Sequence, residues 1–168
     1  MGQPSAFIGL GSNLDEPLRQ LERAVSCLVD QEVEVTTLSS WYRTEPVGGP
    51  PQPWFVNGAA GVRFEGSPEE LLSICLEIES RQGRRRAVAH GPRTLDLDLL
   101  LFGSRITSSP LLNLPHPELA RRRFVLVPMV EIAPDAVDPV SGVTMRELLA
   151  RCPDDSEVVR LAERAATS

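Results

Sequence analysis

The chain contains no lysine; all 17 of its basic residues are arginine. That absence excludes a G-x-x-x-x-G-K-[ST] phosphate loop, which needs a lysine ammonium on the terminal phosphates. Every permanently charged cation is instead a planar guanidinium, shaped for paired contacts with phosphate or carboxylate oxygens. Cysteine is scarce. Cys27, Cys75 and Cys152 stand far apart without metal-ligand spacing, which argues against a disulfide framework and suits a reducing cytoplasm. Aromatic residues make up 5 % and the net charge is −6, a poor match to a basic, aromatic-rich sheet that binds RNA. No apolar run reaches membrane-spanning length. The opening Met1-Gly2-Gln3-Pro4-Ser5 lacks the charged and apolar regions of a signal peptide. The expectation is a cytoplasmic protein with neither membrane nor nucleic acid as partner. At 168 residues and 42 % hydrophobic, residues 1–168 are expected to form a single domain with a substantial core.

Periodicity sets the order of elements. Ala6–Ser12 reads as a buried strand ending in a glycine turn, and Leu18, Leu21, Val25 and Leu28 mark a helix over about Glu16–Asp30. Val33, Val35 and Thr37 alternate with polar residues in a strand expected to run to Trp41 or Arg43. The Pro- and Gly-rich stretch 44–53 must be a loop, and Phe55–Phe64 is the next strand. Ser67-Pro68-Glu69-Glu70 predicts a capped helix start, with Leu71, Ile74, Cys75 and Ile78 as its buried stripe. Leu95–Phe102 reads as a strand, followed by a turn at Gly103. Helices are expected around Val125–Val130 and Thr144–Ala150, and an extra helix with a frayed end over 154–168. The order strand-helix-strand-strand-helix-strand is the α+β, ferredoxin-like split βαβ pattern, an antiparallel sheet with helices packed on one face and here a C-terminal strand/helix extension. The first and last strands of that pattern are expected side by side at the sheet centre, bringing the Gly9–Ser12 turn near Asp96.

The chemistry concentrates in Gly91-Pro92-Arg93-Thr94-Leu95-Asp96-Leu97-Asp98. Strand side chains alternate faces, so Asp96 and Asp98 point the same way, roughly 6–7 Å apart. Two carboxylates at that distance repel by about 2–3 kcal/mol at an effective dielectric near 20. Either a hard cation such as Mg²⁺ or bridging arginines must relieve the repulsion. Arg81, Arg84, Arg85, Arg86 and Arg93 flank the pair and suit either a solvated loop or a polyphosphate. His116 lies between two prolines, just before Arg121, Arg122 and Arg123. Gly9-x-Gly11 lacks the third glycine of a dinucleotide fingerprint, since Leu14 stands there. Phe55 and Asn57 share a strand face and suit a flat heteroaromatic ligand, or equally a satisfied core. Glu79, taken alone, reads as a surface glutamate. Together these parts point to phosphoryl or pyrophosphoryl transfer beside a planar organic pocket.

Gly11-Ser12-Asn13-Leu14, Tyr42-Arg43-Thr44, Phe55-Val56-Asn57, Glu79 with Gly83-Arg84-x-Arg86, the Gly91–Asp98 segment, Pro115-His116-Pro117 and Arg122-x-Phe124 give the chain its resemblance to a known family. In that order, over roughly Ala6–Val140, it resembles 6-hydroxymethyl-7,8-dihydropterin pyrophosphokinase of the folate pathway. The resemblance implies transfer of pyrophosphate from ATP to the pterin hydroxymethyl group, with release of AMP. It implies that Asp96 and Asp98 hold two Mg²⁺ ions and that Arg84 and Arg93 neutralise the transferred group. ATP contacts are implied for Glu79, Arg86, His90, Leu99, His116 and Arg122. The pterin would lie between Phe55 and Phe124, its edge read by Asn57, Thr44 and the backbones near Gly11, Glu45 and Val47. Where the family places a basic residue and tryptophan before Gly-Pro-Arg, this chain has Ala89 and His90, which implies a different closure of the arginine loop. A monomer or weak dimer is expected. The rival readings are a non-catalytic ferredoxin-like module that binds RNA or a regulatory ligand, and another Mg-dependent nucleotidyl transferase.

Overall fold

A computed structural model describes residues 4–83 and 95–162. Strand β1 (Ala6–Ser12) leads into helix α1 (Pro17–Asp30); strands β2 (Glu34–Leu38), β3 (Tyr42–Thr44) and β4 (Phe55–Arg63) follow, then helix α2 (Pro68–Arg81) and strand β5 (Asp96–Phe102). β1 lies between β4 and β5, and β4 pairs with both β2 and β3, every pairing antiparallel. This is the split βαβ arrangement. β1 and β5 are neighbours as expected, but the centre belongs to β1 and β4, and β5 is an edge strand. The two helical crossovers interleave, so each leaves a gap that the other's strand fills and the last strand is pushed outward.

Local signals explain most of the elements. Ser67 Oγ accepts the Glu70 N–H at 3.1 Å, and Glu70 Oε1 accepts the Ser67 N–H at 3.0 Å, closing the capping box that starts α2. The strand expected to continue from Val33 to Arg43 is broken in two. At the break, Ser39 Oγ takes the Ala59 N–H at 2.8 Å, a side chain replacing a ladder partner, so β2 and β3 pair separately with β4. Gly9-x-Gly11 lies within β1, not in a turn.

Each sheet face carries its own core. Ile8, Leu10, Leu97 and Leu99 pack against Leu21, Ala24 and Leu28 of α1 and Leu71, Cys75 and Ile78 of α2. The opposite face buries Phe7, Ala59, Leu100 and Leu101 beneath α3 (Arg123–Ile132) and α4 (Met145–Arg151), through Leu126, Met129, Met145 and Leu148. Burying such a side chain stabilises the fold by about 1.5–3 kcal/mol. The extension beyond β5 therefore supplies a second helical layer. It also holds a small hairpin of β6 (Thr107–Ser108) and β7 (Asn113–Leu114).

The tail differs from expectation. Instead of a helix from Asp154, the chain forms strand β8 (Val158–Arg160), antiparallel to β3. Two β-branched residues meet the open edge of β3, whose backbone groups need partners, and that outweighs weak helical periodicity. Residues 163–168 lie outside the described chain. All three cysteines are free. Among the described residues, no helix is long and apolar enough to cross a membrane.

Candidate active site

A row of residues crosses four strands on the α3 side of the sheet: Asp96 opposite Gly11, Gly11 opposite Asn57, and Asn57 opposite Tyr42. Asp98 lies opposite Gly9 on the same face. Alternation sends Ile8, Leu10, Leu97 and Leu99 into the α1/α2 core, which leaves Gly9, Gly11, Asp96 and Asp98 on the other side. The β1 glycines are what make the row usable. A Cβ on Gly11 would overlap Asn57 Oδ1, so only glycine lets that carboxamide lie across β1 toward the aspartates. Leu99, implied as an ATP contact, is 4 % exposed and turned into the α1/α2 core. Its side chain is therefore unavailable, and only its backbone remains for such a role.

His116 reaches the aspartates from the loop after β7. Its peptide N–H donates to the Leu100 carbonyl at 2.9 Å, which clips it to β5. Its Nδ1 accepts the Glu118 N–H at 3.1 Å, so the hydrogen-bond pattern puts the neutral ring's proton on Nε2. Nε2 faces Asp98 Oδ1 at 3.9 Å, beyond direct hydrogen-bond reach, with 22 % of the imidazole and 32 % of the Asp98 side chain exposed. Burial, followed by the Arg122 guanidinium, lowers the His116 pKa against the opposing pull of Asp96 and Glu118. The ring is neutral at pH 7, and its contact with Asp98 is not an ion pair.

Glu79 corrects the surface reading. It is 3 % exposed, and its Oε2 accepts the Leu97 N–H at 2.7 Å. β5 is an edge strand, so that N–H points away from β1 and takes a partner from α2 instead. The residue between the two aspartates is thus tied to a buried carboxylate. Nearby, burial pushes the Cys75 thiol up to about 12, with Glu79 and Asp98 adding to the effect, so Cys75 stays protonated at neutral pH.

Of the residues linked by resemblance to a planar ligand, Asn57, Thr44 and Phe55 adjoin this row. Asn57 Nδ2 donates to Thr44 Oγ1, and both residues are buried. Phe55 lies opposite Thr44 and is half-buried. Phe124 opens α3, with the Arg122 guanidinium 5.6 Å from its ring centroid. Val47 is exposed. The Glu45 N–H, expected to read a ligand edge, already donates to the Glu157 carbonyl at 3.0 Å. Arg84, Arg86, His90 and Arg93, with Arg85, Ala89, Gly91, Pro92 and Thr94, lie outside the described residues.

Two contributors escaped the residue reading. Asn13 Nδ2 donates to Gln52 Oε1 and to the Pro53 carbonyl, both at 2.9 Å, pinning the proline-rich loop to the end of β1. Its place at a strand end was the available signal. Glu131 of α3 accepts from the Ser40 N–H, the Ser40 hydroxyl and the Tyr42 hydroxyl at 2.9, 2.7 and 2.7 Å. Nothing in the sequence pairs positions so far apart.

Residues 7–134 match the family model described as 7,8-dihydro-6-hydroxymethylpterin-pyrophosphokinase (HPPK). The chain is 47 % identical over 145 residues to the 2-amino-4-hydroxy-6-hydroxymethyldihydropteridine pyrophosphokinase of Synechocystis, covering 86 % of this chain and 74 % of that one. The protein of the same name from Pseudomonas aeruginosa is 42 % identical over 148 residues, covering 88 % of this chain and 91 % of its own. Among solved structures, wild-type Plasmodium falciparum HPPK-DHPS with SDX-DHP superposes with a TM-score of 0.64 at 14 % identity. That match covers 87 % of this chain and 43 % of the larger one, and it speaks to the fold alone.

Proposed function

The chain belongs to the 7,8-dihydro-6-hydroxymethylpterin-pyrophosphokinase family, and from that premise we propose how its residues divide the work. The activity is transfer of pyrophosphate from ATP to 6-hydroxymethyl-7,8-dihydropterin in folate biosynthesis. The single observation that carries the assignment of residues is the placement of Asp96 and Asp98 on one face of an edge strand, across a glycine floor from Asn57.

Asp96 and Asp98 fit a hard divalent ion. Among the described residues, no third carboxylate, histidine or cysteine joins them in a metal-ligating group. A bound ion would take two carboxylates here and keep its other positions for phosphate oxygens and water, as Mg²⁺ prefers. When bound, two Mg²⁺ ions would neutralise phosphate charge and orient the chain of phosphates.

The chain's own groups do the rest. Phe55 and Phe124 hold the pterin ring while Asn57 and Thr44 read its edge, placing the hydroxymethyl oxygen in line with the β-phosphorus of ATP. That oxygen bonds to the β-phosphorus as the bond from the β-phosphorus to the α,β-bridging oxygen breaks. AMP departs, and the hydroxyl proton passes to solvent. His116, neutral and protonated on Nε2, offers a donor to a phosphate oxygen and no basic nitrogen, in keeping with a reaction that needs no protein base. Arg84 and Arg93 neutralise the transferred group, while Arg86, His90, Arg122 and the Leu99 backbone contribute to the nucleotide site and the buried Glu79 supports it by holding the Leu97 N–H of β5. The enzyme works as a monomer or weak dimer, and in the cytoplasm, a location that its three free cysteines support.

Incubation with ATP, Mg²⁺ and 6-hydroxymethyl-7,8-dihydropterin tests this directly. AMP and a diphosphorylated pterin are the expected products. Release of pyrophosphate would instead mark a nucleotidyl transferase, and no turnover would favour a binding module.

A further inference from the structure

We propose that residues 154–160 form a positioning strap for the pterin pocket, Asp154 setting the first turn of α3 and Glu157 setting the chain just after Thr44. The proposal rests on the pocket assigned above. Helix α3 has no side-chain cap of its own, since its N-cap residue is Arg122. Asp154 supplies the missing acceptor from outside the helix: its Oδ2 takes the Arg123 N–H at 2.9 Å. That N–H lies between Arg122 and Phe124, so the bond acts on the turn that carries both. Asp154 is itself held, because its Oδ1 accepts the Ser156 N–H at 2.9 Å. Partial burial disfavours its charge, but the Ser156 and Arg123 N–H groups outweigh that and keep its pKa below the ordinary carboxylate value. A negative charge there also complements the positive end of the helix dipole.

Three residues on, the same segment grips the opposite wall. The Glu157 carbonyl accepts the Glu45 N–H at 3.0 Å, and the Glu157 N–H donates to Glu45 Oε1 at 3.1 Å. Val158 then lies opposite Thr44, and Arg160 opposite Tyr42. The Arg160 guanidinium comes within 4.0 Å of Glu131 Oε2, on the α3 residue that binds the Tyr42 hydroxyl. One short segment thus ties the turn bearing Phe124 to the strand bearing Thr44. A flat ring held between aromatic faces depends on their spacing. The strap fixes that spacing from outside the pocket, touching no substrate.

The test is steady-state kinetics of the full chain. Asp154→Ala removes the acceptor and is expected to raise the KM for 6-hydroxymethyl-7,8-dihydropterin roughly five- to tenfold, the scale of a lost helix cap. The kcat at saturating pterin should stay within about twofold. Asp154→Asn keeps one oxygen, enough for the Arg123 N–H or the Ser156 N–H but not for both, so its pterin KM should fall between those of the wild type and Asp154→Ala. An unchanged pterin KM in Asp154→Ala, or equal losses in kcat and in both substrates' KM, would overturn the strap. If Asp154→Ala yields no folded protein, Asp154→Ser is read against Asp154→Asn. Serine is one atom too short for the bond, so a pterin KM raised further in Ser than in Asn supports the proposal, and equal values refute it. Asn57→Ala in the same assay separates the two readings. If it leaves the pterin KM unchanged, the pocket itself is wrong; if it raises the KM while Asp154→Ala does not, only the strap fails.

Discussion

The two faces of β1 and β5 are made by the same fourteen residues, seven per strand, yet they do different jobs. On the α1/α2 side, Ile8, Leu10, Leu97 and Leu99 are almost fully buried in a continuous apolar core. On the α3 side, Phe7, Leu100 and Leu101 enter the second core, while toward the other end of the strands Gly9, Gly11 and the half-buried Asp96 and Asp98 form a floor. The contrast shows how a small domain builds a rigid site: one face is locked by packing, and alternation presents the other at fixed spacing. The aspartate pair inherits its precision from the leucines between which it sits.

Asp96→Ala or Asp98→Ala should break the polar face alone. Turnover is expected to fall roughly a hundred- to a thousandfold, as when key charge-stabilising groups are removed, while pterin affinity changes little. Parallel loss of turnover and pterin affinity would contradict the division of roles. Leu97→Ala, one residue away, should break the apolar face. Chemical denaturation is expected to show a loss of about 2–5 kcal/mol, with kcat per folded molecule largely kept. Gly11→Ala strikes the boundary by driving a methyl group into Asn57 Oδ1. We expect roughly a tenfold weaker pterin affinity in titration, because displacing the carboxamide costs about one hydrogen bond; unchanged affinity would mean Asn57 does not read the ligand. The smallest effect is in pH. The folded His116 pKa is lowered, so as pH falls below about 6.5 the unfolded chain takes up the proton first. Its contribution to stability is full above that value and is lost as pH falls through the folded pKa. His116→Gln should flatten the stability–pH curve in that window, and an unchanged slope would show that burial does not hold the ring neutral.

The apolar half of this picture was legible because burial writes itself as periodicity. The capping box at Ser67–Glu70, the α2 stripe and the aspartate strand all appear where pattern puts them. Legibility ended where a partner far away in sequence decides the outcome. Glu79 looks like any helix glutamate until the outward N–H of an edge strand claims it. The break at Ser39 depends on a serine hydroxyl meeting Ala59. The tail could have been helix or strand, and the open edge of β3 chose strand. Within the site, the aspartates, Asn57, Thr44 and His116 were visible through their chemistry and the family resemblance. Glu131 and Asp154 were not, because each acts by holding another element in place and carries no signal of its own, and Asn13 appeared only within a motif, with no hint that it pins the proline-rich loop.

The central claim is that Asp96 and Asp98 hold the divalent ions that bind the ATP phosphates. Diffraction from crystals grown with Mn²⁺, a non-hydrolysable ATP analogue and the pterin tests it most directly, using the anomalous signal of the metal. The account predicts strong peaks within coordination distance of both carboxylates and of the analogue's phosphate oxygens. Peaks elsewhere, with the two aspartates paired to arginines, would contradict it.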